Sequence, residues 1–176
     1  MLPDPPRSIR VLGLDPGLQH TGWGMIECAP SGRLKFLAGG VVSTDAEQAL
    51  AERLCHLHRG LNALLDLWQP DEAAIEHTYM NKNPGAALKL GQARGVVLLA
   101  PALFGIPVAE YQAMEVKCAV VGTGHAEKLQ VEAMVKRLLP GAEIRRADAA
   151  DALAVAICHA HHRATRLALA RARLVP

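Results

Sequence analysis

The sequence predicts an α/β domain built on a mixed five-stranded sheet, three antiparallel strands first, flanked by helices. Three observations carry that expectation. Short apolar runs separated by Gly, Ser or Pro open the chain, helical periodicity follows, and single short strands then alternate with helices. At 176 residues, the chain suits one domain able to bury roughly 70% of the surface its unfolded form exposes. With 51% hydrophobic and 20% charged residues, it lies in the globular range and outside the charge-rich range of disorder.

Ile9 to Leu14 is apolar and stops at Asp15-Pro16-Gly17, a buried strand ending in a turn. Strands over Thr21–Cys28 and Leu34–Ser43 complete an antiparallel meander. From Asp45 to Trp68, Leu50, Leu54, Leu57, Leu61, Leu64 and Leu65 recur at three- and four-residue steps, predicting an amphipathic helix that Pro70 ends. Glu72–Glu76 reads as a strand and Asn81-Lys82-Asn83-Pro84 as a polar loop. A long helix then runs to about Phe104, where Gly105 stops it. Pro107–Glu110 predicts a fifth strand, Gln112 onward two helices broken at Gly122-Thr123-Gly124, and the last helix begins near Asp148. The domain is expected over 9–165, with flexible termini at 1–8 and 166–176.

No apolar run is expected to reach the eighteen or so residues that span a bilayer, and the proline-rich start lacks a signal peptide's apolar stretch, so a cytoplasmic location is expected. Cys28, Cys55, Cys118 and Cys158 are scattered without a CxxC pair, which suggests free thiols in a reducing compartment. Formal net charge is only +2, yet Arg163, Arg166, Arg171 and Arg173 close the chain without an intervening acid. Charge alone does not choose between a solvated helix end and a phosphate-contacting tail.

Four acids occupy unusual places. Asp15 and Glu76 end strands, and Asp148 and Asp151, three residues apart, share one face of the first turn of the last helix. Ligands of open sheets gather beyond strand C-termini, so Asp15 and Glu76 converge there if their strands are neighbours. Crowded carboxylates repel unless a cation lies between them, and hard oxygen donors suit Mg²⁺ or Mn²⁺. Two such ions about 4 Å apart are a known device for phosphodiester hydrolysis. The plainer alternative makes Asp148 a helix cap, Asp15 a turn residue and Glu76 a solvated strand end.

The motifs carry a further resemblance. Leu12-Gly13-Leu14-Asp15-Pro16-Gly17 with Thr21-Gly22-Trp23-Gly24, then Ala74-Ile75-Glu76 and Asn81-Lys82-Asn83, are similar to blocks of the RuvC family of Holliday-junction resolvases. Further on, Ala87 to Gly95 and Ala147 to Ala154 continue the similarity, which runs from about Arg10 to His162. The resemblance implies a ribonuclease H-like fold, a homodimer and paired symmetric nicks across a four-way DNA junction, in recombination and repair. It aligns Asp15, Glu76, Asp148 and Asp151 with the catalytic and metal-binding acids of that family, two ions per site. Some members have His where Asp148 stands. RuvA and RuvB branch-migration proteins are the partners it implies.

Tyr79, in the loop after Glu76, is a candidate base-stacking residue, with an ordinary strand-end tyrosine as the alternative. Lys82, Lys89, Arg94, Lys117 and Lys128 are candidate DNA contacts, Lys117 and Lys128 matching basic positions the family uses near the scissile phosphate. Gly91 and Gly95, four apart on the long apolar helix, are candidates for a two-fold interface, with docking inside the monomer as the alternative. Gly122-Thr123-Gly124-His125 lacks the spacing of a phosphate loop and reads as a turn. Cys158, His159, His161 and His162 scatter around a helix and read as packed or solvated residues rather than zinc ligands. Two other functions compete: a junction-binding module without catalysis, and an actin-like ATPase using Asp15-Pro16-Gly17 as a phosphate turn. Intact acids count against the first, and a length that leaves no room for a second nucleotide-clamping domain counts against the other.

Overall fold

The computed structural model describes residues 7–77 and 83–172. The opening runs form β1 (Ile9–Asp15), β2 (His20–Cys28) and β3 (Leu34–Ser43), followed by α1 (Leu50–Trp68) and β4 (Glu72–His77). After these come α2 (Pro84–Leu103), β5 (Val108–Gln112), α3 (Ala113–Val121), α4 (Lys128–Leu138) and α5 (Ala147–Ala172). The strands lie in the order β3-β2-β1-β4-β5. β1 pairs antiparallel with β2 and parallel with β4, so the first strand becomes the middle of the sheet.

Both faces of that middle are covered, and the two-residue alternation of a strand decides what each face receives. Leu12 and Leu14 of β1, Met25 of β2, and Ala73 and Ile75 of β4 pack with Leu57, Leu61 and Leu65 of α1 and Ala93, Val97 and Ala100 of α2. Ile9, Val11, Ile26 and Ala74 point the other way and pack with α3, α4 and α5. From Ala152 to Cys158, α5 is buried on every side, each residue at most 1% exposed. A helix sealed all round needs a floor that lets it come close. Gly13, Gly22 and Gly24 form that floor, and a Cβ on Gly13 would lie only 2.0 Å from the Ala152 carbonyl oxygen.

Several expected boundaries move for local reasons. The Asp45 carboxylate accepts the Glu47 N–H at 3.0 Å, a side-chain turn that delays α1 to Leu50. The fifth strand continues to Gln112 because it pairs with β4 as far as His77. Gln112 then caps α3 in a reciprocal box with Glu115. α2 starts as its sequence suggests, with Pro84 in the first turn and the Asn83 side chain accepting the Gly85 and Ala86 N–H groups.

By length and composition α2 is apolar enough to cross a membrane, which corrects the expectation that no run would be. Its inner side is buried, and Leu88, Leu99 and Leu103 are exposed on the outer one. α5 continues to Ala172, through the boundary expected at 165. One of the terminal arginines is engaged by a hydrogen bond, Arg163 donating to Glu72 at 2.8 Å, and the charge of Arg166 acts on Tyr111.

Candidate active site

Leu14 of β1 and Ile75 of β4 are register partners, so Asp15 and Glu76, one residue further on, end adjacent parallel strands. Both belong to the strand positions that face α5, and the first turn of α5 carries Asp148. The chain behind Asp15 is tied down. Buried Thr21 donates to the Gly17 carbonyl at 2.6 Å and accepts the Gly17 N–H at 3.3 Å, while Thr44 donates to the Leu18 carbonyl at 2.5 Å.

Asp15, Glu76 and Asp151 line one cavity of about 280 Å³ together with Lys117 and Lys128, against an apolar wall that includes Val116 and Ala154. Asp148 stands beside it, near enough for its charge to act on Asp15 and with Arg146 Nη2 at 3.5 Å. Lys128 Nζ donates to Asp151 Oδ2 at 2.6 Å. Among the described residues, no three Asp, Glu, His or Cys side chains meet closely enough to form a ready metal shell.

Electrostatics at this point are severe. Burial, and then the charges of Glu76, Asp151 and Asp148, push the Asp15 carboxyl up from 3.8 to about 7, with Lys128 opposing. Burial also raises Glu76, helped by Asp151 and opposed by Lys117 and Lys128. The bond to Asp151 raises the Lys128 ammonium. Such a site favours added positive charge, and its donors are all hard oxygens, a set that fits Mg²⁺ or Mn²⁺.

The other candidates divide. Lys117 and Lys128 are brought to the acids, and Lys89 lies exposed on α2. Arg94 is paired with Glu110 and its side chain is only 13% exposed, so its charge is already engaged inside the chain. Tyr79 and Lys82 lie outside the described residues. Gly91 and Gly95 have open space where a Cβ would point, so neither is docked within the monomer.

Sequence reasoning missed Arg146, Gly22 and a polar network at the opposite end of β4. There, buried His159 lies between Glu72, 2.6 Å from Nε2, and the Tyr111 hydroxyl, 2.9 Å from Nδ1. Burial alone would raise the Glu72 carboxyl, but hydrogen bonds from Arg163 and His159 outweigh it and hold Glu72 below its usual value. His161 hydrogen-bonds the Ala119 carbonyl and His162 stacks on Tyr111, which disperses the histidines around α5. Glycines inside the second strand were a legible signal of close approach.

A mixed sheet in this order, with carboxylates gathered beyond the ends of β1 and β4, defines an α/β protein of the ribonuclease H-like class. A family model described as crossover junction endodeoxyribonuclease RuvC matches residues 11–159. The chain belongs to the RuvC family. It is 62% identical over 164 residues to the crossover junction endodeoxyribonuclease RuvC of Granulibacter bethesdensis, covering 93% of this chain and 92% of the relative. To the protein of that name from Paramagnetospirillum magneticum it is also 62% identical over 164 residues, covering 93% of this chain and 98% of the relative. Among solved structures, T. thermophilus RuvC in complex with a Holliday junction substrate superposes with a TM-score of 0.84 at 34% identity, over 90% of this chain and 96% of that one. The yeast mitochondrial Holliday junction resolvase Ydc2 shares the fold, with a TM-score of 0.66 at 13% identity, over 91% of this chain and 82% of that one.

Proposed function

We propose that the chain resolves four-way DNA junctions as a two-fold homodimer, hydrolysing one phosphodiester in each of two strands with divalent cations held by Asp15, Glu76, Asp148 and Asp151. The observation that carries this reading is the cavity in which Asp15, Glu76 and Asp151 face Lys117 and Lys128, in a chain of the RuvC family. Mg²⁺ or Mn²⁺, two ions per site, would supply water activation at neutral pH and charge neutralisation on the phosphate. Asp15 and Glu76 hold the floor of the site from rigid strand ends. Asp151 joins them by rotating away from Lys128, and the released ammonium meets a non-bridging phosphate oxygen, with Lys117 beside it. Water attacks phosphorus in line, the P–O3′ bond breaks, and the products are a 5′-phosphate and a 3′-hydroxyl. No covalent enzyme intermediate is required.

Exposed Leu88, Gly91, Gly95 and Leu99 share the outward side of α2, and this is the face proposed for the two-fold contact. Two sites related by symmetry suit a symmetric junction. Lys89, and Tyr79 and Lys82, which lie outside the described residues, are proposed DNA contacts; Arg94 is proposed to act only if Glu110 releases it. A cytoplasmic location and RuvA and RuvB as partners belong to the same reading.

The test incubates a synthetic four-way junction, a linear duplex and a flap with the protein, with and without Mg²⁺ or Mn²⁺. Symmetric paired nicks in the junction alone, and only with metal, are expected. Asp15→Asn should lower cleavage by about three orders of magnitude, equivalent to ~4 kcal/mol of transition-state stabilisation, while junction binding survives. Cleavage by that variant at the unaltered rate would overturn the assigned site.

A further inference from the structure

We infer that Gly22 is a positioning residue for the acidic site: its missing side chain sets how close the first turn of α5, and with it Asp148 and Asp151, comes to Asp15. This rests on the metal-site reading of those acids. Gly22 is the register partner of Asp15 on the adjacent strand, so the two residues lie side by side under α5. A Cβ on Gly22 would fall 2.0 Å from the Asp148 carbonyl oxygen, 2.5 Å from its carbonyl carbon and 3.1 Å from its Cβ.

The two nearest of these atoms belong to the backbone of a candidate ligand, so no side-chain rotation relieves the overlap. The neighbouring glycines differ in what they hold. A Cβ on Gly24 would meet mainly the Leu153 side chain, at 2.5 and 2.6 Å, which can move. On Gly13 it would meet the backbone of Ala152 and Ala156, at 2.0 and 2.8 Å, beyond the acids along the helix. On Gly39 nothing lies nearer than 3.5 Å. Gly22 alone of these four abuts the turn that carries Asp148. Any side chain there lifts that turn from the end of β1 and opens the gap the ions must bridge.

Mg²⁺ demands near-ideal octahedral geometry, so a small opening costs affinity before it costs the fold. The experiment titrates the full-length protein, without DNA, with MnCl₂ by calorimetry and by the paramagnetic signal of free Mn²⁺. Thermal unfolding is recorded alongside. Gly22→Ala is compared with Ala149→Val, which adds bulk to the same turn from the helix side at a residue only 3% exposed. Leu61→Ala serves as a core truncation on the other face of the sheet, and Gly39→Ala as a glycine with room.

Gly22→Ala and Ala149→Val are expected to bind Mn²⁺ about 10- to 100-fold more weakly. Leu61→Ala and Gly39→Ala should bind it as the unaltered chain does at temperatures where all are folded. The inference is overturned if Gly22→Ala and Ala149→Val both keep the unaltered affinity, or if Leu61→Ala loses as much. Should Gly22→Ala not fold, Ala149→Val alone decides between these outcomes. Failure of the metal-site reading looks different: Asp15→Asn would then leave Mn²⁺ binding unchanged.

Discussion

At the scale of single residues, Asp15 binds protons where an unfolded chain would not. With its carboxyl moved from 3.8 to about 7, the folded protein retains a proton in that window that the unfolded chain has released. Stability without metal therefore falls as pH rises through the window and is lowest above it. The full shift corresponds to at most about 4 kcal/mol, and solvent in the open cavity reduces this to about 1–3 kcal/mol. Asp15→Asn should accordingly be more stable than the unaltered chain at pH 8 in chelator, by urea unfolding, and the gain should vanish below pH 4. Protons should also compete with Mn²⁺, so apparent affinity should fall as pH drops below 7. The placement of Asp15 was legible because a turn follows an apolar strand directly. The bond from Lys128 to Asp151 was not, since nothing in local spacing links a residue at the start of α4 to one in α5.

Among the elements, α5 is the one that joins sites. Its first turn packs on Gly22 of β2, beside Asp15, and its later part is clamped to β4 by His159 and Arg163 on Glu72. Removing that carboxylate with Glu72→Ala leaves two donors without their acceptor. A loss of about 1–3 kcal/mol by urea unfolding is expected, with the cleavage rate at low temperature nearly unchanged. Five strands and five helices were foreseen in the right order, because periodicity reports which side of each element meets a core. Their ends were less legible: the Asp45 turn and the Gln112–Glu115 cap depend on side-chain hydrogen bonds that hydrophobic spacing does not encode. The Glu72–His159 link was invisible for a different reason. It joins residues distant in the chain, and only the strand order brings them together.

For the whole molecule, the sheet order β3-β2-β1-β4-β5 turned an inferred adjacency of Asp15 and Glu76 into a fact, while the proposal that copies associate comes from the resemblance. A Cβ on Gly91 or Gly95 would meet nothing within 4 Å outside its own helix, so Gly95→Leu should fold as well as the unaltered chain, with up to about 1 kcal/mol of helix propensity gained. If α2 is the two-fold contact, that variant should sediment as a monomer, and paired nicking should become single, uncoordinated nicking. Unchanged sedimentation would place the interface elsewhere. The sealed span of α5 from Ala152 to Cys158 has one more consequence. A packed helix cannot turn freely about its own axis, so the azimuth of its first turn is locked to the seam beneath it. Deleting any single residue within that span would swing Asp148 and Asp151 by about 100° and shift them about 1.5 Å along the axis. Length here is therefore as constrained as chemistry, and substitutions in that stretch should be tolerated far more often than deletions.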